Sequence, residues 1–464
     1  MAYGYVSIDP LGLIDRSTVG RLQKQVISLC GLVTLLDGFD IQAIAFVAPT
    51  ITANWVLSRG ALGPVLAASP IGIMVGALTL SPLGDRFGRR RLLIAALGLV
   101  GLASLATAFT TTVPGLFGTR FLTGLGLGGC MPNAISLTSE YLPSRQRTFL
   151  VSLMFCGIPV GGFLGGFIAA ELIPNFGWQI VFWIGGGLPL AMCVLLAAAL
   201  PESVRYLALK NSTDPGVGML LERVSTSYRY EPHHEFVTQG EARRFLSPLA
   251  LLSPSHRFAT ITLWATFFAN MALIYVFLSW FPTFFVQAGW KLETALKATS
   301  VFLLGGAIGG LGLSWFVDRR GPYQVIPLAF VTTAIAAVGL SVLPWSSVWI
   351  LPLVFVIGVG TVGTQSCINV VAASRYPTSL RTTGVGWALG IGRVGAIMSP
   401  IAGGLALSAG ISLSVLFLIA AIPATICASG LLILQRHDAR RRQELPVRAA
   451  AASRAEPLEP NRTR

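Results

Sequence analysis

Charge is scarce in this sequence. Asp, Glu, Lys and Arg make up 11% of its 464 residues, whereas hydrophobic residues make up 53% and the mean hydropathy is +0.71. Soluble globular domains carry about 25% charged residues, so the composition excludes an ordinary water-soluble fold. The charges are also unevenly placed, because short clusters of Arg separate long stretches that carry no charge. This pattern is typical of a chain that crosses a membrane several times.

Residues suited to metal, disulfide or nucleophilic chemistry are also few. The six cysteines all lie inside apolar stretches, and the four histidines lie in a predicted loop and in the C-terminal tail. The cysteines have neither metal-ligand spacing nor the exposed positions of a disulfide framework, so we expect them to be small packing residues. No nucleophile or phosphate-loop constellation is present. We therefore expect no enzyme, no metal site and no cofactor.

The charge that is present is mostly positive, with a net charge of +14. A basic chain can bind nucleic acid. Here the basic residues lie at the ends of apolar runs, and no basic face alternates with aromatic residues. Positive cytoplasmic loops explain the same excess, so we expect a lipid bilayer as the partner and no nucleic acid.

Twelve apolar windows are long enough to cross a bilayer, which takes about 20 residues each. They form two groups of six, so the sequence predicts an all-α membrane protein with twelve transmembrane helices in two six-helix bundles, at 26–200 and 258–434. The windows lie near 26–54, 62–83, 91–112, 114–141, 148–171, 178–200, 258–287, 297–317, 323–343, 347–374, 382–408 and 412–434.

The basic residues predict the orientation. With both termini in the cytoplasm, 28 of the 33 Lys and Arg lie in the tails and cytoplasmic loops. Only Arg59, Lys291 and Lys297 then lie outside, while Arg120 and Arg393 lie within spans. The reverse orientation violates the positive-inside rule. We therefore expect both termini to be cytoplasmic.

Three segments are expected to lie outside the membrane. Residues 1–25 are mostly polar and lack the early apolar region of a signal peptide, so they form a cytoplasmic tail. Residues 201–257 form a cytoplasmic central loop with mixed charge. Residues 435–464, rich in Arg, Ala and Pro, form a basic tail that we expect to be disordered.

An internal repeat relates the two halves. A shift of 233 residues places Asp37 on Asn270, and aligns SPLGDRFGRR at 81–90 with SWFVDRRGPY at 314–323. Several matches at nearly one offset, all at equivalent points of the topology, are not chance. Two similar six-span halves predict a transporter whose halves rock about a substrate site near the bilayer midplane.

The first span carries two acids, Asp37 and Asp40, three residues apart and hence on one helical face. A carboxylate in hydrocarbon costs roughly 2.5–3.5 kcal/mol even on the lenient insertion scale. Desolvation and mutual repulsion both favour the protonated form. The pair is therefore our candidate proton-binding site, with a structural hydrogen bond as the alternative. Which acid takes the proton stays open.

The loop GDRFGRRR at 84–91, with its degenerate copy at 318–321, resembles the cytoplasmic signature of the major facilitator superfamily. One departure is Ser81, where that motif usually has Gly. The resemblance implies a twelve-helix transporter in which acid–base pairs of this loop stabilise one access state. The expected gating residues are Asp85, Arg86, Gly88, Arg89, Arg90, Asp318, Arg319 and Gly321.

The first span, LDGFDIQAIAFVAPTI at 36–51, is similar to that of the aromatic acid:proton symporter family, which carries a DGxD motif. Further similarity lies at 120–147 and 386–400, and the resemblance covers residues 25–435. It implies proton-driven uptake of aromatic carboxylates such as 4-hydroxybenzoate, benzoate or protocatechuate. It also implies a multi-pass protein of a bacterial inner membrane, which we expect to be monomeric.

Two residues of the fourth span resemble family positions for proton coupling. Arg120 lies in an Arg-x-x-x-Gly-x-Gly pattern, and it could tune a first-span acid. Its alternative is an arginine that reaches the membrane interface. Glu140 lies near the cytoplasmic end of the same span, and a plain interface charge is its alternative.

Arg393 lies within the eleventh span, flanked by Gly392 and Gly395. An aromatic carboxylate needs a fixed cation, and Arg can bind it through two parallel hydrogen bonds. We expect Arg393 to bind the substrate carboxylate, with an ion pair to the other half as the alternative. The remaining pocket candidates are polar or aromatic residues inside spans, each of which is more often a packing residue: Asn133, Asn270, Tyr275, Trp280, Gln365, Asn369 and Trp387.

Three functions are compatible with these residues. Proton-coupled uptake of an aromatic carboxylate leads. A transporter of other organic acids or an efflux antiporter is the alternative. A membrane sensor without transport is a distant third, because the chain has no added signalling domain.

Overall fold

The protein is a mostly helical membrane protein with twelve spans in two six-helix bundles. A computed structural model describes residues 6–58, 60–225, 228–237 and 248–455. Arg59, which the charge count puts outside, lies beyond the described residues. The spans in chain order are Arg21–Asn54, Gly63–Thr79, Arg89–Ala108, Val113–Glu140, Ser144–Phe176, Gln179–Ala199, Arg257–Gln287, Leu292–Arg320, Pro322–Val342, Ile350–Arg375, Thr378–Ser408 and Leu413–Ala455.

These helices begin and end within a few residues of the predicted windows, apart from the last. Ten helices in the described part of the chain are long and apolar enough to cross a membrane. The second span is a shorter apolar helix of 17 residues. The fourth has 28 residues, but its many Gly and Thr residues lower its hydropathy.

The twelfth helix continues to Ala455. The tail predicted to be disordered from residue 435 is therefore helical over its first part. Ala, Arg, Gln and Glu dominate that stretch, and all four are strong helix formers. Residues 456–464 of the predicted tail lie outside the described residues.

The two bundles repeat the same packing. In the first half, span two packs on span four, span three on span six, and span one on span five. In the second half the equivalent spans pair in the same way, eight with ten, nine with twelve, and seven with eleven. The halves meet where span five packs on span eight, span two on span eleven, and span one on span seven. These three contacts are also related by the repeat.

The bundle has two distinct ends. We call the end that carries the 84–91 loop the motif end, and the opposite one the distal end. At the distal end glycines bring the halves into close contact: a Cβ at Gly60 would lie 1.8 Å from the Gly404 carbonyl oxygen, and one at Gly166 1.9 Å from Ser300 Oγ. Side chains there would hold the helices apart, so the glycines allow this end to close.

Two spans are interrupted. The fifth is broken at Cys156, between Ser144–Phe155 and Gly157–Phe176. The tenth consists of Ile350–Gly358 and Thr364–Arg375 joined by a π-helical turn, Val359–Gly363. Such turns insert an extra residue and are frequent at functional sites.

The central loop is more ordered than its polar sequence predicts. It forms the helices Val204–Lys210 and Pro215–Val224, and its strand His234–Phe236 pairs in parallel with Val6–Ile8 of the N-terminal tail. Its buried apolar residues join one core with the motif ends of the first-half spans. The described part of the loop is therefore a cap on the first half, and not a free linker.

Candidate functional site

Asp40 and Arg120 form a fully enclosed ion pair in the first half. Arg120 Nη2 lies 2.5 Å from Asp40 Oδ2, and both side chains are 0% exposed. Arg120 also donates to the Asp40 carbonyl oxygen at 3.1 Å, and the Ser104 hydroxyl donates to Asp40 Oδ1 at 2.5 Å. The guanidinium lies over the Phe182 ring, 5.3 Å from its centroid. Because Arg120 is enclosed at this depth, the interface-arginine alternative does not apply.

Asp37 lies one helical turn from Asp40, towards the motif end, and its surroundings differ. The side chain is 1% exposed, and neither carboxylate oxygen has a hydrogen-bond partner among the described residues. An ionised carboxylate here has neither solvent nor a counterion, which strongly disfavours the charged form. The two acids therefore differ chemically, since one is compensated and the other is not.

Arg393 lies half-buried in the middle of the eleventh span. Its flanking glycines let this span approach the seventh: a Cβ at Gly395 would lie 2.3 Å from the Phe268 carbonyl oxygen, and one at Gly392 3.1 Å from Met271 Cγ. Arg393 makes no salt bridge within the described ranges. The alternative of an ion pair to the other half has no support in this state.

A small cavity lies between the halves, with room for about one water molecule. Gln42 of span one lines it and donates to the Leu278 carbonyl oxygen of span seven at 2.7 Å, so it links the two halves. Of the predicted pocket residues, only Tyr275 lines this cavity. The lining is Ile41, Gln42, Ile44, Ala45, Leu66, Pro70, Tyr275, Leu278 and Ser279.

Three amide side chains form a chain in the second half. Asn270 Nδ2 donates to Gln365 Oε1 at 2.7 Å, and Gln365 Nε2 donates to Asn369 Oδ1 at 3.2 Å. Asn270 is 0% exposed, whereas Gln365 and Asn369 are half-buried. The chain joins span seven to span ten just beyond the π-helical turn.

The motif loop forms a charged network within the first half. Arg89 bonds Asp85 at 3.1 Å and also pairs with Glu140, which accepts a hydrogen bond from Ser203. The Arg90 backbone amide donates to Glu202 Oε1 at 2.9 Å. The central loop thus completes this network, through residues that the sequence did not single out.

The copy of this loop in the second half shares its backbone but not its ion pairs. Gly88 and Gly321 occupy equivalent positions, and their φ angles of 100° and 83° are values that favour glycine. The guanidinium of Arg319 stacks on Trp315, 3.8 Å from the ring centroid, and that of Arg86 lies 5.4 Å from the Phe87 ring. Asp318 makes no salt bridge within the described ranges.

Comparison with known proteins decides the family. Residues 30–400 match the sequence profile of the Major Facilitator Superfamily. The chain belongs to this superfamily. Its members are transporters, in agreement with the prediction that the chain is no enzyme and needs no cofactor.

Two relatives are similar along nearly the whole chain. The gallate transporter of Pseudomonas putida is 38% identical over 443 residues, covering 95% of this chain and 98% of the relative. The 4-hydroxybenzoate transporter of Pseudomonas aeruginosa is 38% identical over 430 residues, covering 92% and 95%. Among solved structures, a D-xylose-proton symporter matches with a TM-score of 0.69 at 18% identity, covering 88% of this chain and 97% of that one. This last likeness concerns the superfamily fold alone.

Several predicted site residues lie away from the cavity of this superfamily member. Trp280 is 1% exposed and donates to the Pro400 carbonyl oxygen at 3.1 Å, so it packs span seven against span eleven. Trp387 is 44% exposed and stacks on Trp264. Asn133 lies under the motif loop, where a Cβ at Gly84 would fall 1.9 Å from its Oδ1. All three make packing contacts, the commoner use of such residues.

Glu140 also lies apart from the acids with which the sequence groups it. It follows Arg120 by twenty residues on one helix, which corresponds to about 30 Å. Its partners are Arg89 and Ser203 of the motif network. Conversely, the sequence missed Ser104 and Gln42, because a lone Ser or Gln inside a span carries no distinguishing pattern.

One group in the central loop resembles a metal site in composition. Ligand atoms of Glu231, His233 and His234 lie within 4.8 Å of one another. His234 Nδ1 is already bonded to the Tyr228 hydroxyl at 2.9 Å and to the Glu231 amide at 3.2 Å. This imidazole therefore helps to fold the loop.

Proposed function

We propose that the protein is a proton-coupled symporter that takes up aromatic carboxylates by alternating access. The observation that carries this proposal concerns one acid and one cation in opposite halves. Among the described residues, Asp37 has no hydrogen-bond partner and Arg393 has no salt-bridge partner. The relatives named for gallate and 4-hydroxybenzoate support the substrate class. A sensor without transport explains none of these features.

Asp37 is the residue we assign to the proton. A buried carboxyl without a partner is stable as the neutral acid and becomes costly when it loses its proton. The cost falls when the protein opens and water reaches the side chain. Asp37 can thus accept a proton from one side and release it on the other.

Asp40 and Arg120 serve this site as an enclosed ion pair. Arg120 already compensates the Asp40 charge through hydrogen bonds to the carboxylate and the backbone. Separating the Asp40 carboxylate from Arg120 inside the membrane is strongly unfavourable, because each charge would be left buried without a partner. We assign to the pair the role of fixing span one against span four beside Asp37.

Arg393 is the residue we assign to the substrate carboxylate. Its guanidinium can form two parallel hydrogen bonds with a carboxylate. The neighbouring surface of span seven offers Met271 and Tyr275, which pack in one apolar cluster with Ala396. Such a surface suits the flat face of an aromatic ring.

The closed distal end supports an arrangement that opens to the motif end. The positive-inside rule assigns the motif end and both termini to the cytoplasm. Besides the glycine contacts, Lys297 Nζ of span eight lies 2.8 Å from Glu171 Oε1 of span five. Outward opening must separate these contacts between the halves. We expect a monomer in the bilayer to suffice.

Uptake into proteoliposomes tests the proposal. Labelled gallate, 4-hydroxybenzoate and benzoate are offered with an imposed pH gradient, acidic outside. We expect accumulation above the outside concentration that collapses when a protonophore is added. No accumulation of any aromatic acid, or accumulation only with the opposite gradient, would reject uptake by symport and favour another organic acid or efflux.

A further inference from the structure

The second half holds a polar cluster that neither proton binding nor carboxylate binding uses. It is the amide chain of Asn270, Gln365 and Asn369. The chain lies where span seven meets span ten, and Asn270 stands at the position that Asp37 occupies in the first half. Its chemistry differs from that of an acid, because amides neither titrate nor carry charge.

The amide chain is left with an unused acceptor. Asn270 Nδ2 donates a hydrogen bond to Gln365, and it makes a longer contact of 3.4 Å with the Thr361 carbonyl oxygen. Its Oδ1 is buried and has no hydrogen-bond partner in the described part of the chain. Leaving such an atom unsatisfied in the protein interior is unfavourable. A ligand that donates a hydrogen bond removes this cost.

The backbone around the chain is shaped to present it. The π-helical turn Val359–Gly363 adds a residue to span ten just before Gln365, which rotates Gln365 and Asn369 relative to the rest of the helix. The turn fits between spans eight and nine because glycines stand at the points of contact, on the turn and on span eight. A Cβ at Gly360 would lie 1.8 Å from Thr333 Oγ1, and one at Gly309 of span eight 2.7 Å from Val359 Cα.

The amide chain borders the surface that we assign to the aromatic ring. Ile274, one turn after Asn270, shares a cluster with Tyr275 and Ala396, and Val362 of the π-helical turn packs against the same cluster. Tyr275 in turn lines the cavity between the halves. A ring lying on this surface would have its edge next to the amides.

We propose that the Asn270–Gln365–Asn369 chain binds a ring hydroxyl of the substrate, so that the transporter prefers hydroxylated aromatic acids to unsubstituted ones. A phenol both donates and accepts. Its hydroxyl hydrogen can be donated to the Asn270 amide oxygen, which has no partner among the described residues. A carboxylate only accepts, so it cannot satisfy Asn270 Oδ1. This inference rests on the proposed aromatic carboxylate uptake.

The rival explanation is that the amides only hold spans seven and ten together. Hydrogen bonds between membrane helices contribute to helix association in this way. Loss of such a bond would affect all substrates alike. Loss of a hydroxyl-binding group affects hydroxylated substrates alone, so the ratio between the two classes separates the explanations.

The test is exchange of labelled acids in proteoliposomes without a proton gradient, with benzoate, 3-hydroxybenzoate, 4-hydroxybenzoate and gallate. The variants are Asn270→Leu and Gln365→Met, which remove the amides at similar size. The matched control is Thr266→Val, one turn before Asn270, because within the described residues that hydroxyl bonds only the Thr262 carbonyl oxygen of its own helix.

We expect the wild-type protein to bind at least one hydroxylated acid more tightly than benzoate. In either amide variant the half-saturation concentration for that acid should rise about 5- to 150-fold, since an unpaired buried group costs about 1–3 kcal/mol. The value for benzoate should stay within about threefold, as it should for every acid in Thr266→Val.

Three results would overturn the inference: equal binding of benzoate and all hydroxylated acids by the wild type, equal loss for both classes in the variants, or the same change in Thr266→Val. The proposed function would survive each of them, because aromatic acids would still exchange. If the wild type exchanges no aromatic acid, the proposed function itself fails. If the Asn270→Leu variant does not insert into the membrane, the Gln365→Met variant and the wild-type substrate panel still test the inference.

Discussion

The two halves share one fold but place different chemistry on their inner helices. At equivalent positions of the repeat, span one has Asp37 and span seven has Asn270. Both side chains are buried, and each has an oxygen without a hydrogen-bond partner among the described residues. Only the acid can change its charge. On this comparison we assign proton binding to the first half and substrate binding to the second.

The cations follow the same division. Arg120 of the first half is enclosed and paired with Asp40, whereas Arg393 of the second half is half-buried and makes no salt bridge within the described ranges. Neither arginine has an arginine at the equivalent place in the other half. In this part of the repeat the shift is 234 residues, and Val354 and Pro159 stand at the equivalent positions. An enclosed pair is fixed, and an open cation is available to a ligand.

The largest expected effect comes from removing the proton site. In Asp37→Asn we expect gradient-driven accumulation to disappear, so that inside and outside concentrations become equal. Exchange of labelled substrate across the membrane should persist, because the amide mimics the neutral acid. Uptake and exchange assays on the same proteoliposomes measure both. Accumulation that persists would remove Asp37 from coupling.

The two acids of span one should differ sharply in stability. Asp40→Asn leaves Arg120 buried without a counterion, and we expect a loss of about 3–5 kcal/mol in the free energy of unfolding. Asp37→Asn breaks no hydrogen bond and serves as the matched control, with little change expected. Thermal unfolding in detergent reports both. Equal losses would mean that the two acids are not compensated differently.

The second-half cation should affect binding more than coupling. In Arg393→Leu the carboxylate loses a charged hydrogen bond of about 1.5–3 kcal/mol, so half-saturation should rise by roughly 10- to 150-fold. Arg393→Lys keeps the charge but not the two parallel hydrogen bonds. Its half-saturation concentration should lie between those of the wild type and Arg393→Leu. Transport that remains in either variant should still be driven by the proton gradient. An unchanged half-saturation in Arg393→Leu would exclude it as the carboxylate ligand.

The smallest effect is expected where the halves touch at the distal end. Lys297 and Glu171 are 34% and 66% exposed, and exposed ion pairs contribute little to stability. Glu171→Gln should therefore shift the balance between access states by at most about fivefold. Gly404→Val, which forces a side chain against Gly60, should open this end much further. Labelling of a cysteine placed at Ser279, which lines the cavity, measures both shifts.

The topology could be predicted because a bilayer demands long apolar helices and repels charge. The same penalty made Asp37, Asp40, Arg120 and Arg393 visible in the sequence. What separates Asp37 from Asp40 could not be predicted, because Arg120 lies 80 residues from Asp40 along the chain and reaches only one of them. Patterns within a span do not tell which neighbouring helix a side chain meets.

Two further features depend on contacts that no local pattern records. Glu140 belongs to the motif network because Arg89 and Ser203 meet it from two other segments. The π-helical turn in span ten reflects glycine contacts with spans eight and nine, which the sequence VGTVG alone does not reveal. In this protein the site geometry depends on contacts between different helices, whereas the number and position of the spans follow from the apolar sequence of each helix.

Simultaneous measurement of proton and substrate flux tests the division between the halves most directly. A pH-sensitive dye is trapped in proteoliposomes at neutral pH, labelled 4-hydroxybenzoate is added, and protein-free vesicles correct for passive entry. The wild type should acidify the interior as substrate enters, whereas Asp37→Asn should exchange substrate with no acidification beyond the vesicle control. If Asp37→Asn acidifies the interior as much per substrate as the wild type, the proton does not travel on Asp37 and the account is wrong.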